Sequence, residues 1–226
     1  MVFFLILIGG LCWTWAYIEI IRKGIKDRSY GMPLFALGLN LSWELLYTFL
    51  KVYHREIDAQ FWVMILWLLF DFGIVYCYFR YGYKYFPKNR SKTEFYLWSL
   101  LVFASCFLLE YFFWVEFGNE LGPRYSAFLQ NLLMSVLFVD MFFKRRPMEG
   151  QSMVVAVNKW IGTLANTLLF GYIERSWFIL IIGLLCFLFD LVYIYLIYSY
   201  KNSTLPEQMQ SGGLSVPAQV AKQHGD

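Results

Sequence analysis

Charge is what this 226-residue chain has least of. Only 15% of its residues are Asp, Glu, Lys or Arg, against about 25% in a soluble domain. Together with 59% hydrophobic residues gathered in long runs, this shortage excludes an ordinary soluble domain and points to a polytopic helical membrane protein. Histidine is nearly missing, and His54 and His224 both fall outside the apolar runs. The four cysteines (Cys12, Cys77, Cys106 and Cys186) lie singly inside those runs, with no C-x-x-C and no Cys/His ligand spacing. They read as small core hydrophobes, and no metal site is expected. Proline is almost absent from the run interiors. Pro33 sits near a helix start, where its missing N–H is tolerated, and the other prolines fall in connections or the tail. The broken helices by which many transporters bind substrate are therefore only weakly signalled. The N-terminus lacks a basic region and a small-x-small cleavage site, so it reads as a first span and not a cleaved signal.

Seven apolar runs are present: residues 2–21, 33–50, 60–79, 95–115, 125–143, 153–172 and 176–198. The expected fold class is all-α, a polytopic membrane protein with a seven-transmembrane-helix bundle over residues 1–200. Residues 201–226, rich in Gln, Ser, Gly and Pro, are expected to form a flexible cytoplasmic tail. Basic residues alternate between connections. Arg22, Lys23, Lys26 and Arg28 follow the first run, Arg80, Lys84, Lys88, Arg90 and Lys92 the third, and Lys144, Arg145 and Arg146 the fifth. The positive-inside rule places these connections in the cytoplasm and the N-terminus outside or in the lumen, in either a plasma membrane or the endoplasmic reticulum. Orientation accounts for the basic connections, so the bilayer is an expected partner and nucleic acid is not.

The informative residues are the polar ones inside the runs. Residues three, four and seven apart share a helix face. Asn40, Glu44 and Tyr47 form such a face, as do Lys159, Gly162, Thr163 and Asn166, and Gly183, Cys186, Asp190 and Tyr193. Asp71 lies near the middle of the third run, Glu110 in the outer part of the fourth, and Gln130 and Asn131 in the fifth. Asn40, Gln130, Asn131 and Asn166 read most simply as packing groups between helices. Lys159 is placed to snorkel or to pair with Asp140 or Asp190, and Glu19 and Asp140 read as interfacial.

Glu44, Asp71 and Asp190 are harder to explain by packing, because an ionisable group at membrane depth costs several kcal/mol unless it is paired, wet or neutral. A low dielectric disfavours a bare charge, so a deep acid is a proton source for an apolar substrate. By helix rise Glu44 and Asp190 are offset by roughly 10 Å along the membrane normal, a gap that suits an elongated substrate better than a shared proton. Aromatics make up 22% of the chain, and aromatic faces stabilise cations in dry cavities by roughly 2 kcal/mol.

Four stretches, in order, carry a resemblance. They are Lys26-Asp27-Arg28-Ser29-Tyr30-Gly31-Met32 leading into Asn40-Leu41-Ser42-Trp43-Glu44, Tyr125-Ser126 with Gln130-Asn131-Leu132-Leu133-Met134-Ser135, Arg146 to Ser152 followed by Lys159-Trp160-Ile161-Gly162-Thr163, and Asp190-Leu191-Val192-Tyr193. In these the chain resembles the seven-helix integral membrane terpene cyclases of fungal meroterpenoid and indole-diterpene pathways and their bacterial relatives. The resemblance implies metal-free cyclisation of a prenylated aromatic or meroterpenoid substrate, begun by protonating an epoxide or an alkene, with no cofactor. It assigns the functional acids to Glu44 and Asp190 without settling which is the proton donor, and puts Lys159 where many relatives have Arg. Asn40, Trp43, Tyr47, Asp71, Glu110, Asn131, Lys159, Asn166 and Tyr193 are the expected substrate-pocket residues. The alternative is a small-molecule or proton-coupled transporter using Glu44, Asp71 and Asp190 as a relay. A retinal protein is disfavoured, since the last span holds no lysine for a Schiff base.

Overall fold

The structure, a computed structural model, describes residues 1–145 and 148–212, with side chains as far as Ser203. Arg146, Pro147 and residues 213–226 lie outside the described residues, and with them most of the expected tail. Among the described residues the chain forms six α-helices and no strand: α1 Val2–Lys26, α2 Leu34–Tyr53, α3 Ala59–Tyr81, α4 Lys92–Lys144, α5 Met153–Asn166 and α6 Trp177–Gly212. A 3₁₀ turn, Gly82–Tyr85, follows α3, and a π-helical stretch, Thr167–Ile173, prolongs α5. The helical backbone of α6 thus continues past residue 201, where the tail is expected to begin.

Local chemistry sets the helix starts. Asp58 caps α3 by accepting a hydrogen bond from the Phe61 amide at 2.8 Å. Ser91 and Glu94 form a reciprocal capping box at the start of α4, and Ser152 caps α5 through the Val154 amide. Five helical stretches are long and apolar enough to cross a membrane: Val2–Lys26, Ala59–Tyr85, Lys92–Lys144, Met153–Ile173 and Trp177–Ser203. α2 is the exception, because Asn40, Ser42, Glu44 and Lys51 dilute its apolarity within 20 residues.

α4 differs from the expected pair of spans joined by a loop. Its 53 residues would reach about 80 Å if straight, well over twice the roughly 30 Å of a hydrocarbon core. At Gly118 the backbone leaves the helical region (φ 71°, ψ −170°), a conformation essentially confined to glycine. Beyond it the chain doubles back. The Phe117 and Tyr125 rings meet at 5.6 Å, and a Cβ at Gly122 would lie 3.2 Å from the Phe113 carbonyl. The runs at 95–115 and 125–143 are therefore two helical limbs that meet at a sharp kink at Gly118. The charged stretch between them stays helical except at a single residue, and Pro123 is tolerated because it falls early in the second limb, near its first turn.

The helices close a ring. α1 packs against α3 and α5, α2 against α3 and α4, and α6 against α4 and α5. Large apolar side chains such as Leu11, Trp62, Leu100 and Leu188 are exposed on the outside, while Glu44, Asp71, Glu110, Lys159 and Asp190 are buried within. This is the reverse of a soluble bundle and what lipid requires. One end of the ring is stitched by the described residues of three connections, 27–33, 82–86, and 145 with 148–152. Ser29 and Tyr85 hydroxyls hydrogen-bond at 2.6 Å, and the Gly150 amide donates to Asp27 at 2.9 Å. The Arg145 guanidinium donates to the Tyr30 carbonyl at 2.8 Å and lies between the rings of Tyr30 (3.7 Å) and Tyr85 (4.2 Å). A Cβ at Gly31 would sit 2.8 Å from the Gly150 carbonyl, so the close approach of these connections depends on glycine. Glu19 lies at this same end, buried and held by Arg22 at 2.6 Å and by the Ser152 hydroxyl at 2.7 Å.

Candidate active site

The helix faces anticipated from spacing do turn inward, and their polar groups gather into three clusters. The first joins α1, α2 and α3. The Asn40 amide donates to both oxygens of Asp71, at 3.0 and 2.8 Å, and to the Tyr17 hydroxyl at 2.5 Å. Asp71 is fully buried. Tyr17 is stacked between Trp67 and Phe70, each with its ring centroid 6.2 Å away. Glu44, one turn along α2 from Asn40, lies within electrostatic reach of Asp71 and Tyr17. It is 2% exposed, and its Oε2 has no hydrogen-bond partner among the described residues.

The second cluster joins the second limb of α4 with α5 and α6. Lys159 and Asp190 form an ion pair at 2.8 Å in which each side chain is only 2% exposed. The ammonium also reaches the second Asp190 oxygen at 3.0 Å and Ser135 at 2.6 Å, which engages all three of its donors. One turn away the Asn131 amide donates to Thr163 at 2.8 Å, so residues four apart on α4 meet residues four apart on α5. Of the two partners open to Lys159, the structure selects Asp190, while Asp140 pairs with Lys144 at 3.0 Å.

In the third cluster Tyr47 on α2 faces Glu110 and Ser126 on the two limbs of α4. The Tyr47 hydroxyl, Ser126 Oγ and Glu110 Oε2 are buried without hydrogen-bond partners among the described residues. Tyr47 is three residues from Glu44, so this cluster stands one helical turn from it.

Three further expected pocket residues make their hydrogen bonds or close contacts outside these clusters, although Trp43 packs its ring 5.1 Å from that of Tyr47. The Trp43 indole donates to the Pro123 carbonyl at 2.9 Å and props α2 against the bend of α4. Asn166 is half-buried against Gly9 at the seam of α1 and α5. Tyr193 is fully buried, but its hydroxyl donates to Gln151 at 3.1 Å, toward the stitched end. Sequence reasoning passes over Tyr17 and Ser135. Nothing distinguishes Tyr17 from the other tyrosines of an aromatic-rich chain. Ser135 carries the same spacing signal that marks its neighbours, four residues beyond Asn131. Two surface clefts, of about 180 and 570 Å³, open near residues 82–96 and are not lined by any of the deep acids.

Among the described residues Glu44 and Glu110 each keep a buried oxygen without a partner, Asp71 accepts from Asn40, and Asp190 is locked in an ion pair. Residues 1–203 match the family of Pyr4-like transmembrane terpene cyclases. Among curated proteins the chain is similar to the Pyr4-family terpene cyclase mfmH of Annulohypoxylon moriforme, 31% identical over 175 residues, covering 76% of this chain and 70% of that protein. The terpene cyclase ascF of Acremonium egyptiacum is 28% identical over 172 residues, covering 69% and 62%. The terpene cyclase pyr4 of Aspergillus fumigatus is 22% identical over 203 residues, covering 84% and 82%. No solved structure matches the chain with significance. On the extent of the family match, and on a relative above 30% identity, the chain belongs to the Pyr4-like transmembrane terpene cyclases.

Proposed function

We propose that this protein closes rings on a prenylated aromatic substrate inside the membrane, and that Glu44 supplies the initiating proton. The observation that carries the assignment is the contrast between Glu44 and Asp190, the two buried acids that the family resemblance singles out. Among the described residues one Glu44 oxygen is unpartnered in a buried site, whereas both Asp190 oxygens are held by Lys159. A carboxyl with no counter-ion is suited to give a proton to an oily substrate, and a carboxylate gripped by an ammonium is not. In the proposed step the Glu44 O–H bond breaks and its proton goes to an epoxide oxygen or a terminal alkene carbon. The protonated epoxide's C–O bond breaks, leaving its oxygen as a hydroxyl, or the alkene's π bond is consumed; positive charge then develops on carbon and neighbouring π bonds close the rings. A C–H proton leaves last, so the reaction is an isomerisation. Tyr17, Trp67 and Phe70 offer an aromatic wall beside Glu44 for the cation. Asp190 takes the distal role, facing the positive charge or accepting the last proton.

This reading takes the two limbs of α4 as separate crossings, seven in all, with the stitched end in the cytoplasm and the N-terminus outside or in the lumen. The test is to give membranes carrying wild type, Glu44→Gln or Asp190→Asn an epoxyfarnesyl or geranylgeranyl aromatic substrate. Product formation by Glu44→Gln is expected to fall on the order of 100-fold or more. Unchanged yield with Glu44→Gln would overturn the assignment.

A further inference from the structure

The larger of the two surface clefts lies where α3 ends and α4 begins, a place the cyclisation reading does not use. It encloses about 570 Å³, and its walls include Arg28, Arg80, Lys84 and Lys92 together with Phe79 and Tyr96. Among the described residues no carboxylate lines it. Lys84 is already committed to Glu149 at 2.5 Å. Among the described residues Arg28, Arg80 and Lys92 form no ion pair, so three cations share one concavity without a counter-ion. Arg28, with φ 47°, is the left-handed residue that ends α1, its following amide at Ser29 bonding back to the Gly24 carbonyl at 2.9 Å. The floor is rigid and apolar, with Phe79 stacked on Tyr96 at 6.0 Å and meeting Phe95 at 6.3 Å. Arg80 and Lys92 also lie 5.8 and 5.9 Å from the Tyr81 and Tyr83 rings. The cleft joins the ends of two membrane-length helices, which sets it at headgroup depth.

Orientation alone asks for basic residues on this side of the membrane. It does not ask that they converge on an aromatic-floored pocket. We propose that this cleft binds the phosphate end of an amphiphile, whose first methylenes rest on Phe79 and Tyr96. Arginine forks and lysine ammonium groups are the usual phosphate ligands, and the aromatic floor selects a phosphate that carries a hydrocarbon chain. Either an anionic phospholipid or an isoprenoid diphosphate carries that chemistry.

The test uses the purified full chain and native mass spectrometry, with phosphatidylglycerol, phosphatidylcholine, farnesyl diphosphate and inorganic pyrophosphate as probes. Wild type is expected to retain phosphatidylglycerol or farnesyl diphosphate in preference to phosphatidylcholine. The double variant Arg80→Ala/Lys92→Ala should weaken that retention by roughly tenfold or more. The charge-matched pair Lys26→Ala/Lys88→Ala, outside the cleft, should leave it unchanged. Displacement of phosphatidylglycerol by farnesyl diphosphate at lower concentration than by pyrophosphate identifies an isoprenoid diphosphate as the occupant, and resistance to both identifies the bilayer lipid. Equal weakening by the two variant pairs, or no preference of wild type for any phosphate amphiphile over phosphatidylcholine, overturns the site.

Discussion

At the scale of single residues, the interior turns on which charges have partners. Removing one member of a buried ion pair leaves the other uncompensated, at a cost of about 3–5 kcal/mol, whereas replacing both by apolar groups is often neutral. Lys159→Met is therefore expected to lower the thermal midpoint in detergent sharply, and Lys159→Met/Asp190→Leu to recover most of the loss while product formation stays abolished. A double variant no more stable than the single one would show that Lys159 matters through Ser135 and not through Asp190. Much of this is legible in the sequence, because a carboxyl amid Leu and Phe stands out whatever the fold. The pairing is not, since Asp140 and Asp190 both lie within reach of Lys159 by helix rise and only the packing of α5 against α6 decides between them. Tyr17 is illegible for a different reason. Tyrosine is common throughout this chain, both at interfaces and in the core, and its role becomes visible only when Asn40 and Asp71 arrive from two other helices.

At the scale of elements, helix ends and bends carry the testable consequences. Gly118 has φ 71° and open space for 4 Å around the position a methyl group would take, so Gly118→Ala meets no clash and its cost is purely backbone, about 1–3 kcal/mol. Gly10→Ala, in open space mid-helix, is expected to be neutral or to stabilise by up to about 1 kcal/mol. Thermal unfolding of the two variants in one detergent compares them directly, and equal effects would remove the special status of the bend. Gly183→Ala presents the opposite case, because its Cβ would collide with the Thr167 hydroxyl and methyl. It should destabilise the contact between α6 and the π-helical stretch, with partial rescue by Thr167→Ala. At the start of α3 the backbone bond from Phe61, with help from Lys51, holds the Asp58 carboxyl below the usual carboxylate range. A depressed value means the stabilisation is present at neutral pH and is lost as pH falls through it. The stability gap between wild type and Asp58→Asn should therefore close below about pH 4. The apolar runs locate these elements well. The fourth and fifth runs do form two helical limbs, and only their connection is shorter than expected, because acidic and polar residues at a bend resemble a loop although a single residue there, Gly118, leaves helical geometry.

At the scale of the whole molecule, the ring closes between α1 and α5, helices far apart in the chain, and no periodicity announces that contact. Gly9 and Asn166 mark the seam, since a Cβ at Gly9 would lie 3.4 Å from the Asn166 side-chain carbon. Gly9→Cys/Asn166→Cys is expected to cross-link under mild oxidation and to yield a disulfide-linked peptide joining α1 and α5 by mass spectrometry. Failure to cross-link in the folded, membrane-extracted protein would open the ring. The bent α4 also constrains how such a molecule is made. Its limbs share one non-helical residue and pack face to face at Gly122, so there is no tether long enough for one limb to settle while the other waits in the ribosomal tunnel. On the proposed reading of two crossings, the pair leaves the translocon as a single hairpin, and ribosome-bound chains ending within the second limb are expected to hold the first at the translocon until both can enter lipid together.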